Sequence, residues 1–501
     1  MAIPTGGLRG DGTTRGFLLI GGSRLDDGSA GERETHDPGS GEPVGVVPQG
    51  SAADVARAVE AAKEATAGWR RTPAGSRGDV LARAAGVLEG DIDAWAELMT
   101  REMGKPIAEA KVECVRAARI LRFFAGEAHR PFGEQYESDL PGTWLFTRHE
   151  PVGVVGLITP WNFPAAIPAW KLAPALVFGN AVVLKLASDG ALTGLRLVEA
   201  LTNAGLPDGV LNVVLGPGGE IGAAIAAHEG IDAVSFSGST EVGGRIRDEV
   251  ASRGGRVQLE LGGHNPVIIR ADADLGIAVG AVTLGAFASA GQKCTATRRV
   301  YVAESLYDEL VDALEKRADA LRVGHGLDPN TQLGPLVSEG ALEEVLAVLE
   351  RASSKGEMRA GGVRLANRDL ARGAYMGATV VTDLPHDAEL ATREVFGPAV
   401  SVWPVADDHE AIELANRLPY GLSAALFTAD LGVAMDFVEE IEVGLVHVNS
   451  QTAGADPHVP FGGAGSSAYG PHEQGRAAIE FFTEQKTVYI DRPEGSQSPV
   501  G

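Results

Sequence analysis

A cysteine at position 294 stands where a thiol could act as a nucleophile. It follows a stretch of mostly small residues at 285–290, and Lys293, Arg298 and Arg299 lie near it in the sequence. Cationic neighbours favour the thiolate, which is the reactive form of the side chain. The alternative is that Cys294 is a buried structural residue. The other cysteine, Cys114, recurs with apolar residues at helical spacing, and we expect it to be packed in a helix.

Glu260 places a carboxyl group inside an apolar strand that ends in two glycines. Burial raises the pKa of a carboxyl group, so a buried glutamate can serve as a general base near neutral pH. The competing interpretation is a glutamate on the solvent face of a half-buried strand, because Gln258 and Glu260 alternate with apolar neighbours. The local sequence leaves both interpretations open.

Two turns could bind charged oxygens. Asn162 follows the apolar segment 152–158, and its amide could donate a hydrogen bond to an oxyanion, or the residue could serve turn geometry alone. Residues 236–243 fit a strand end, a tight turn and a helix start, whose free N–H groups could bind a phosphate. A plain capped turn is the alternative. The G-x-G-x-x-G pattern of dinucleotide sites is absent here, and residues 216–219 are only a weak relative of it.

Five apolar segments alternate with helical segments between residues 152 and 261, and they would position these groups. Apolar strands separated by helices of about a dozen residues predict a parallel, doubly wound sheet. Such a sheet binds nucleotides at the carboxyl ends of its strands. The strands are expected at 152–158, 181–186, 210–215, 233–237 and 257–261, and the helices at 165–178, 193–204, 220–228 and 240–251.

The rest of the chain is expected to add a second α/β unit and two outlying segments. Residues 264–465 repeat the alternation less regularly, and residues 131–150 are expected to be extended. The tail should form a strand at 487–490 before a polar, disordered end at 493–501. The further helices are expected from Ser51 onward and at 79–88, 92–101, 105–128, 275–288, 306–321, 340–352 and 409–416, and the further strands at 17–20, 43–47, 299–302, 399–405 and 444–448.

The composition excludes several classes of protein. A net charge of −24 opposes binding to nucleic acid or to an anionic membrane. No apolar stretch is long and uncharged enough to cross a bilayer, and residues 1–15 do not resemble a secretory signal. Two cysteines cannot form a disulfide framework or a cysteine-rich metal site. We therefore expect a soluble, cytoplasmic protein.

Six separate motifs resemble those of the aldehyde dehydrogenase superfamily, and the match runs from about residue 15 to about residue 490. The motifs are TPWNFP at 159–164, FSGSTEVG at 236–243, LELGG at 259–263, GQKC at 291–294, EVFGP at 394–398 and PFGG at 460–463. The resemblance implies an α/β fold with a Rossmann-type cofactor domain, a catalytic domain and a small β oligomerisation arm. The cofactor domain would comprise 1–131 and 152–263, the catalytic domain 264–476, and the arm and tail 132–151 and 477–501.

The resemblance also implies roles for single residues. Cys294 matches the nucleophile, Glu260 the base that activates the deacylating water, and Asn162 the oxyanion amide. Lys185 matches the lysine that binds the adenosine ribose, and Glu394 the glutamate that holds the nicotinamide ribose. No metal is expected. The residues implied in cofactor binding are Trp161, Lys185, Ser188, Gly218, Gly238, Ser239, Thr240, Glu241, Val242, Gly243, Leu261, Glu394 and Phe396.

The implied reaction oxidises an aldehyde to a carboxylic acid through a thiohemiacetal and a thioester on Cys294. Segments 290–300 and 456–489 resemble 2-oxoglutarate semialdehyde (2,5-dioxopentanoate) dehydrogenases, so that semialdehyde is the first substrate hypothesis. Other small aldehydes (succinate semialdehyde, glycolaldehyde, lactaldehyde) are alternatives. A CoA-acylating enzyme shares the fold, but Glu260 argues against it, and a non-enzymatic role would predict loss of a catalytic residue. The expected substrate contacts are Phe163, Arg122, Arg298, His458 and Phe461.

Ser188 bears on the choice between NAD and NADP. Strictly NAD-specific relatives usually carry glutamate there, which would repel a 2′-phosphate, whereas serine can donate a hydrogen bond to it. We expect the chain to accept NADP, alongside NAD, although Asp189 would oppose this if it points into the site. Position 186 is leucine where many relatives have proline, which should alter the turn only slightly. The resemblance further implies a homodimer or homotetramer.

Overall fold

Five parallel strands form the centre of the larger sheet, as the apolar segments predict. The computed structural model describes residues 13–130 and 133–492. The central strands are parallel to one another, and the strands at both edges run antiparallel to their neighbours. In spatial order the strands are Ala468–Tyr469 (β22), Arg256–Glu260 (β12), Ala233–Ser237 (β11), Val154–Ile158 (β8), Ala181–Lys185 (β9), Leu211–Val213 (β10), Leu18–Ile20 (β2) and Ser23–Leu25 (β3).

Helices cover both faces of this sheet because its central strands bury side chains on both faces. Along β8, Val154 and Ile158 pack on one face and Val155 and Leu157 on the other, which is the two-residue period of a strand. The first face is covered by Ala52–Arg71 (α1), Ala223–Ala227 (α7) and Thr240–Ser252 (α8). The second is covered by Ala74–Glu89 (α2), Ile92–Met103 (α3), Ile107–Glu127 (α4), Ala166–Val177 (α5) and Ala191–Asn203 (α6).

A second sheet has seven strands, and the first of these along the chain begins two residues after the double glycine that follows β12. One edge strand is antiparallel and the other six strands are parallel. Its strands are, in order, Glu357–Ala360 (β15), Thr379–Thr382 (β16), Ala399–Val405 (β17), Thr297–Ala303 (β14), Asn265–Ile269 (β13), Ser423–Phe427 (β19) and Leu445–Val448 (β20). Its helices are Leu275–Phe287 (α9), Tyr307–Ala320 (α10), Glu339–Ser353 (α11), Glu389–Thr392 (α12), Asp408–Asn416 (α13) and Leu431–Glu440 (α14).

The arm and the tail pair with each other, as expected. Thr483–Asp491 (β23) runs antiparallel to the whole of Thr143–Pro151 (β7), and Gln135–Tyr136 (β6) adds a third strand. The expected disordered segment 493–501 lies outside the described residues. The remaining elements are Thr14–Arg15 (β1), Glu32–His36 (β4) and Pro43–Pro48 (β5) in one small sheet, Tyr420–Gly421 (β18) with Ala464–Gly465 (β21) in another, and the helix Ala477–Phe482 (α15).

Several local predictions are confirmed and others need correction. The helix expected from Ser51 onward is present as α1, and the Ser51 N–H donates to Asp54 Oδ2 at 2.8 Å at its start. The helix expected at 220–228 is instead a π-helical turn, Gly218–Gly222, followed by the short α7. Strands β13, β15, β16 and β19 were not expected. Within 13–130 and 133–492, no helix combines the length and the hydropathy that a membrane span needs.

Candidate active site

The carboxyl ends of four neighbouring strands bring the candidate residues to one edge of the larger sheet. Lys185 ends β9, Asn162 follows β8, Gly238 follows β11 and Glu260 ends β12. Because these strands are parallel neighbours, the residues at their ends must lie side by side. A cavity of about 520 Å³ opens at this edge, and Cys294 lies in its wall together with Asn162, Gly238 and Glu260.

A strained turn presents Cys294 to this cavity. Ser289, Ala290 and Gly291 have φ angles of 55°, 53° and 67°. This is the left-handed region, which costs energy for residues other than glycine. A Cβ atom at Gly291 would also lie only 2.1 Å from the Gly397 carbonyl oxygen. Glycine at this position is therefore required both by the conformation and by the lack of space.

Two side chains hold the turn in place. Gln292 Oε1 accepts a hydrogen bond from the Val337 N–H at 3.0 Å. The Arg298 guanidinium donates to the carbonyl oxygens of Gly291 and Gly397, so it joins the nucleophile turn to the segment that follows Phe396. The Arg298 side chain is buried and lies outside the cavity wall, and its role as a substrate contact stays a prediction.

The two glycines after Glu260 allow three segments to meet. A Cβ atom at Gly262 would lie 2.2 Å from Glu394 Oε2, and one at Gly263 would lie 2.6 Å from the Cys294 carbonyl oxygen. The Gly263 N–H donates to Glu394 Oε1 at 3.2 Å. The strand that carries the base therefore meets the loop that carries the thiol through the backbone, and it meets the Glu394 segment through the Glu394 carboxylate.

Glu260 lies in a buried polar layer. Its exposed fraction is 6% and that of Gln258 is 0%, so the solvent-face interpretation is wrong. Both carboxylate oxygens of Glu260 lack a hydrogen-bond partner among the described residues. Nearby, Lys171 Nζ donates to Ser235 Oγ at 2.7 Å and pairs with Glu473. Burial raises the pKa of Glu260 well above its ordinary value, the Glu473 charge adds to this rise, and Lys171 opposes it. The carboxyl group is therefore suited to take up a proton.

The amide of Asn162 points toward the nucleophile turn. Its Nδ2 donates to the Gln292 carbonyl oxygen at 3.1 Å. The backbone of Asn162 is held by Lys105, whose Nζ donates to the Asn162 carbonyl oxygen at 3.0 Å and pairs with the buried Glu113. An amide nitrogen carries two hydrogens, so one is left for an oxygen bound beside Cys294.

The surroundings of Cys294, taken together, disfavour the ionisation of its thiol. Burial raises its pKa to about 12, and the charges of Glu394 and Glu260 add to the rise. Lys293 Nζ instead donates to a backbone carbonyl at 3.1 Å, and Arg299 donates to three backbone carbonyls. Lys293 and Arg298 do interact electrostatically with Cys294, but they do not offset the rise in its pKa.

The other end of the cavity offers groups that fit a dinucleotide. Ser239 caps α8, with its Oγ accepting from the Val242 N–H at 3.4 Å. A Cβ atom at Gly218 would be 3.9 Å from Lys185 Nζ, so the space above this glycine is open toward the amine. Ser188 Oγ donates to a backbone carbonyl at 3.5 Å. An open glycine surface beside a buried cation and a helix N-terminus suits phosphate and ribose groups.

Aromatic and acidic side chains lie between this surface and the thiol. The rings of Trp161 and Phe396 meet edge to face with their centroids 5.6 Å apart. Burial raises the pKa of Glu394 to about 7, and the Arg298 charge opposes this rise. The two rings and the Glu394 carboxyl group are placed where a flat ring and its ribose could be held next to Cys294.

The sequence match decides the family. Residues 26–488 match the profile of the aldehyde dehydrogenase family. The chain belongs to this family. The alpha-ketoglutaric semialdehyde dehydrogenase of Bacillus subtilis (strain 168) is 42% identical over 448 residues, which cover 89% of this chain and 92% of that protein. The alpha-ketoglutarate semialdehyde dehydrogenase of Haloferax volcanii is 44% identical over 438 residues, which cover 87% of this chain and 90% of that protein.

The fold of the family agrees as well. The crystal structure of betaine aldehyde dehydrogenase from Staphylococcus aureus in complex with NAD⁺ superposes with a TM-score of 0.92. The two sequences are 32% identical, and the match covers 95% of this chain and 94% of that one. The expected aldehyde dehydrogenase fold is thereby confirmed.

Most residues implied by the family motifs gather at one cavity. Among the expected cofactor residues outside its wall, Lys185 ends β9 and Ser188 follows it, and Gly243 packs in α8 where a Cβ atom would lie 2.4 Å from Leu261. The expected residues in the wall are Trp161, Asn162, Gly238, Ser239, Thr240, Glu241, Glu260, Leu261, Cys294, Glu394, Phe396 and Phe461.

Three further substrate contacts expected from the sequence lie outside the cavity wall. Arg122 is on the exposed side of α4 and pairs with Glu89. His458 is exposed, and the ring of Phe163 packs under Lys105 Nζ at 4.1 Å. The roles of Arg122, His458 and Phe163 as substrate contacts therefore stay predictions.

The sequence analysis did not identify the charged neighbours of Glu260, Lys171 and Glu473. Lys171 is a lone charge in an otherwise apolar helical segment, α5, and this isolation is a signal that could have identified it. Glu473 carries no such signal, because its burial depends on a loop folding back over α5. Arg116 on α4 was also missed: its Nη2 is buried without a hydrogen-bond partner among the described residues.

The raised thiol pKa predicts how Cys294 is alkylated in the chain without added cofactor. The rate with iodoacetamide should rise about tenfold per pH unit from pH 7 to 10 without a plateau, since only the thiolate reacts. Glu394→Gln removes a nearby negative charge and should increase the rate at pH 8. Cys294→Ser is the control, because the remaining Cys114 is buried. A plateau below pH 8 would contradict the assignment.

Proposed function

We propose that Cys294, Glu260 and Asn162 carry out the oxidation of an aldehyde to its carboxylic acid with a nicotinamide cofactor. The observation that carries this proposal is the meeting of a thiol, a carboxyl group with a raised pKa and an amide donor in one cavity wall. A bound nicotinamide supplies the acceptor for a hydride. The residues suited to hold it are Trp161, Lys185, Ser188, Gly218, Gly238, Ser239, Thr240, Glu241, Val242, Gly243, Leu261, Glu394 and Phe396.

In the first stage, Cys294 loses its proton to water and its sulfur attacks the aldehyde carbon. The new C–S bond converts the carbonyl oxygen into an oxyanion, which the free N–H of Asn162 and the backbone N–H of Cys294 can stabilise. The thiohemiacetal then loses hydride from its carbon, and the carbonyl reforms as a thioester. The close approach of Gly263 to the Cys294 carbonyl oxygen would keep the reacting carbon near Glu260.

In the second stage, Glu260 removes a proton from water, which attacks the thioester carbon. The C–S bond breaks, the acid leaves and the sulfur of Cys294 is regained. Lys171 and Glu473 lie beside Glu260 and set its proton affinity, so they are suited to receive or return that proton. The raised pKa of Glu260 makes it a stronger base than an exposed glutamate.

Two variants separate these stages. Cys294→Ala should abolish activity, whereas Glu260→Gln should still release about one equivalent of reduced cofactor per site in a first burst. Its steady-state rate should then fall about 10²- to 10⁴-fold, because acylation proceeds but water is not activated. Stopped-flow absorbance of the reduced cofactor measures both quantities.

Cys114→Ala is the matched control, and it should keep nearly full activity. Loss of the burst in Glu260→Gln would mean that Glu260 is also needed to ionise the thiol. Formation of an acyl-CoA product that requires added CoA would contradict hydrolysis and favour the CoA-acylating alternative.

We propose 2-oxoglutarate semialdehyde as the substrate. Two relatives above 40% identity carry that activity in their names. This aldehyde ends in a carboxylate, which requires a cationic partner. Arg116 is suited to that role. It interacts electrostatically with Asp456, which lies five residues before the wall residue Phe461. It also interacts with Glu113, which accepts a hydrogen bond from the start of α5. Ile167 and Trp170 of α5 also line the cavity.

Arg116→Met tests this substrate class. The KM for 2-oxoglutarate semialdehyde should rise about 10- to 100-fold, the loss of one charge-assisted hydrogen bond, whereas the KM for propanal should stay within about twofold. Arg122→Met on the exposed side of the same helix is the matched control and should change neither value. A wild-type kcat/KM that is much higher for long-chain or aromatic aldehydes than for semialdehydes would contradict the proposal.

We propose that the chain accepts NADP alongside NAD. Ser188 carries no charge, and the cation of Lys185 lies three residues before it, at the end of β9. The measurement is kcat/KM for both cofactors in the wild type and in Ser188→Glu. The added carboxylate should lower the value for NADP about tenfold or more and leave that for NAD nearly unchanged. A wild-type preference for NAD above about a hundredfold that Ser188→Glu does not alter would contradict dual use.

We further propose a homodimer or homotetramer. Apolar side chains are exposed on paired positions of the arm and tail, Trp144 and Ile490, and along one side of α14, at Leu431 and Met435. A second copy of the chain is the occupant suited to cover them. In this proposal 1–131 and 152–263 form the cofactor domain, 264–476 the catalytic domain, and 132–151 with 477–501 the oligomerisation arm. We place the protein in the cytoplasm, where a nucleophilic thiol stays reduced.

A further inference from the structure

An ion pair lies beside the proposed binding place of the adenosine ribose. Arg33 Nη2 is 2.6 Å from Asp189 Oδ1, and the two side chains keep 43% and 36% of their surface exposed. Asp189 directly follows Ser188, in the turn that starts at Lys185. Arg33 belongs to β4, a strand of the small separate sheet, so the pair joins segments that are distant in the sequence.

The pair affects the electrostatic environment of this turn more than it affects the stability of the fold. An ion pair with this exposure adds little to the free energy of unfolding. Both members are close enough to influence Lys185, whose pKa burial lowers to about 8: the Asp189 charge opposes that fall and the Arg33 charge adds to it. Charges that act on Lys185 Nζ also act on a group bound beside it.

The balance of these charges depends on Arg33. Lys185 and Asp189 alone would cancel, and Ser188 contributes no charge. Arg33 restores a single net positive charge at the turn. Within residues 13–130 and 133–492 the Arg33 side chain makes no second hydrogen bond, so its other N–H groups are available to a ligand.

We propose that Arg33 is a specificity-determining residue for the cofactor. By neutralising Asp189 it permits a ribose that carries a 2′-phosphate, which an unpaired Asp189 would repel as a glutamate at position 188 would. This inference rests on the proposed use of NADP. The carboxylate of Asp189 lies at the site, but its pairing with Arg33 keeps it from opposing a 2′-phosphate.

Binding of cofactor fragments to the full chain tests this role without the need for turnover. Isothermal titration calorimetry compares adenosine 2′,5′-bisphosphate, which carries the 2′-phosphate, with 5′-AMP, which lacks it. Arg33→Met should weaken binding of the bisphosphate about three- to tenfold and change that of 5′-AMP by less than about twofold. Adding Asp189→Asn to Arg33→Met should recover most of the loss, because no carboxylate then needs a partner.

Arg101→Met is the matched control, since Arg101 is an arginine of similar exposure paired with Glu97 on α3. It should leave both affinities unchanged. Equal weakening of both fragments in Arg33→Met would overturn the proposal in favour of a structural role, as would an unchanged bisphosphate affinity or a failure of Asp189→Asn to restore it. If the wild-type chain binds 5′-AMP but not the bisphosphate, the proposed use of NADP fails instead.

Discussion

The close approach of three segments at Gly262 and Gly263 is the constraint on which the active site depends. A Cβ atom at Gly263 would collide with the Cys294 carbonyl oxygen, and one at Gly262 would displace the Glu394 carboxylate. This contact fixes the distance between the end of β12 and the nucleophile turn. The nucleophile turn adopts left-handed backbone angles at Ser289 and Ala290. Arg298 joins this turn by hydrogen bonds to the segment beyond Phe396. The thiol and the base come from different sheets, and only this junction makes them neighbours.

Burial then sets the chemistry of each group at the junction. It raises the pKa values of Glu260, Glu394 and the Cys294 thiol alike, because all three are charged when deprotonated. A carboxyl group gains basicity from this, whereas a thiol becomes harder to ionise. The same enclosure excludes bulk water, so the amide of Asn162 can act strongly on a developing charge. The site therefore favours the base and the oxyanion donor and leaves the thiol to be activated during the reaction.

Much of the fold could be predicted because the central strands of a doubly wound sheet are apolar on both faces. The segments around Val154 and Val182 are continuous apolar runs, and all five predicted central strands are present. The second sheet was harder to predict. Its strand β13 starts with Asn265 and Pro266, and β19 is a five-residue segment of small and apolar residues, so neither has a distinctive period. Such short segments become strands because neighbouring strands offer hydrogen bonds, which a local pattern does not reveal.

The sequence by itself determined the family, the parallel sheet and the candidates Cys294, Glu260 and Asn162. These features depend on contiguous segments of the chain, so a local pattern is enough to identify them. Only the tertiary structure decided the surroundings of these residues. It placed Arg122 and His458 at the surface, Lys171 and Glu473 beside the base, and Arg33 against Asp189. The physical reason is that a motif specifies local backbone and residue type, whereas burial, side-chain direction and ion pairing depend on segments far apart in the chain.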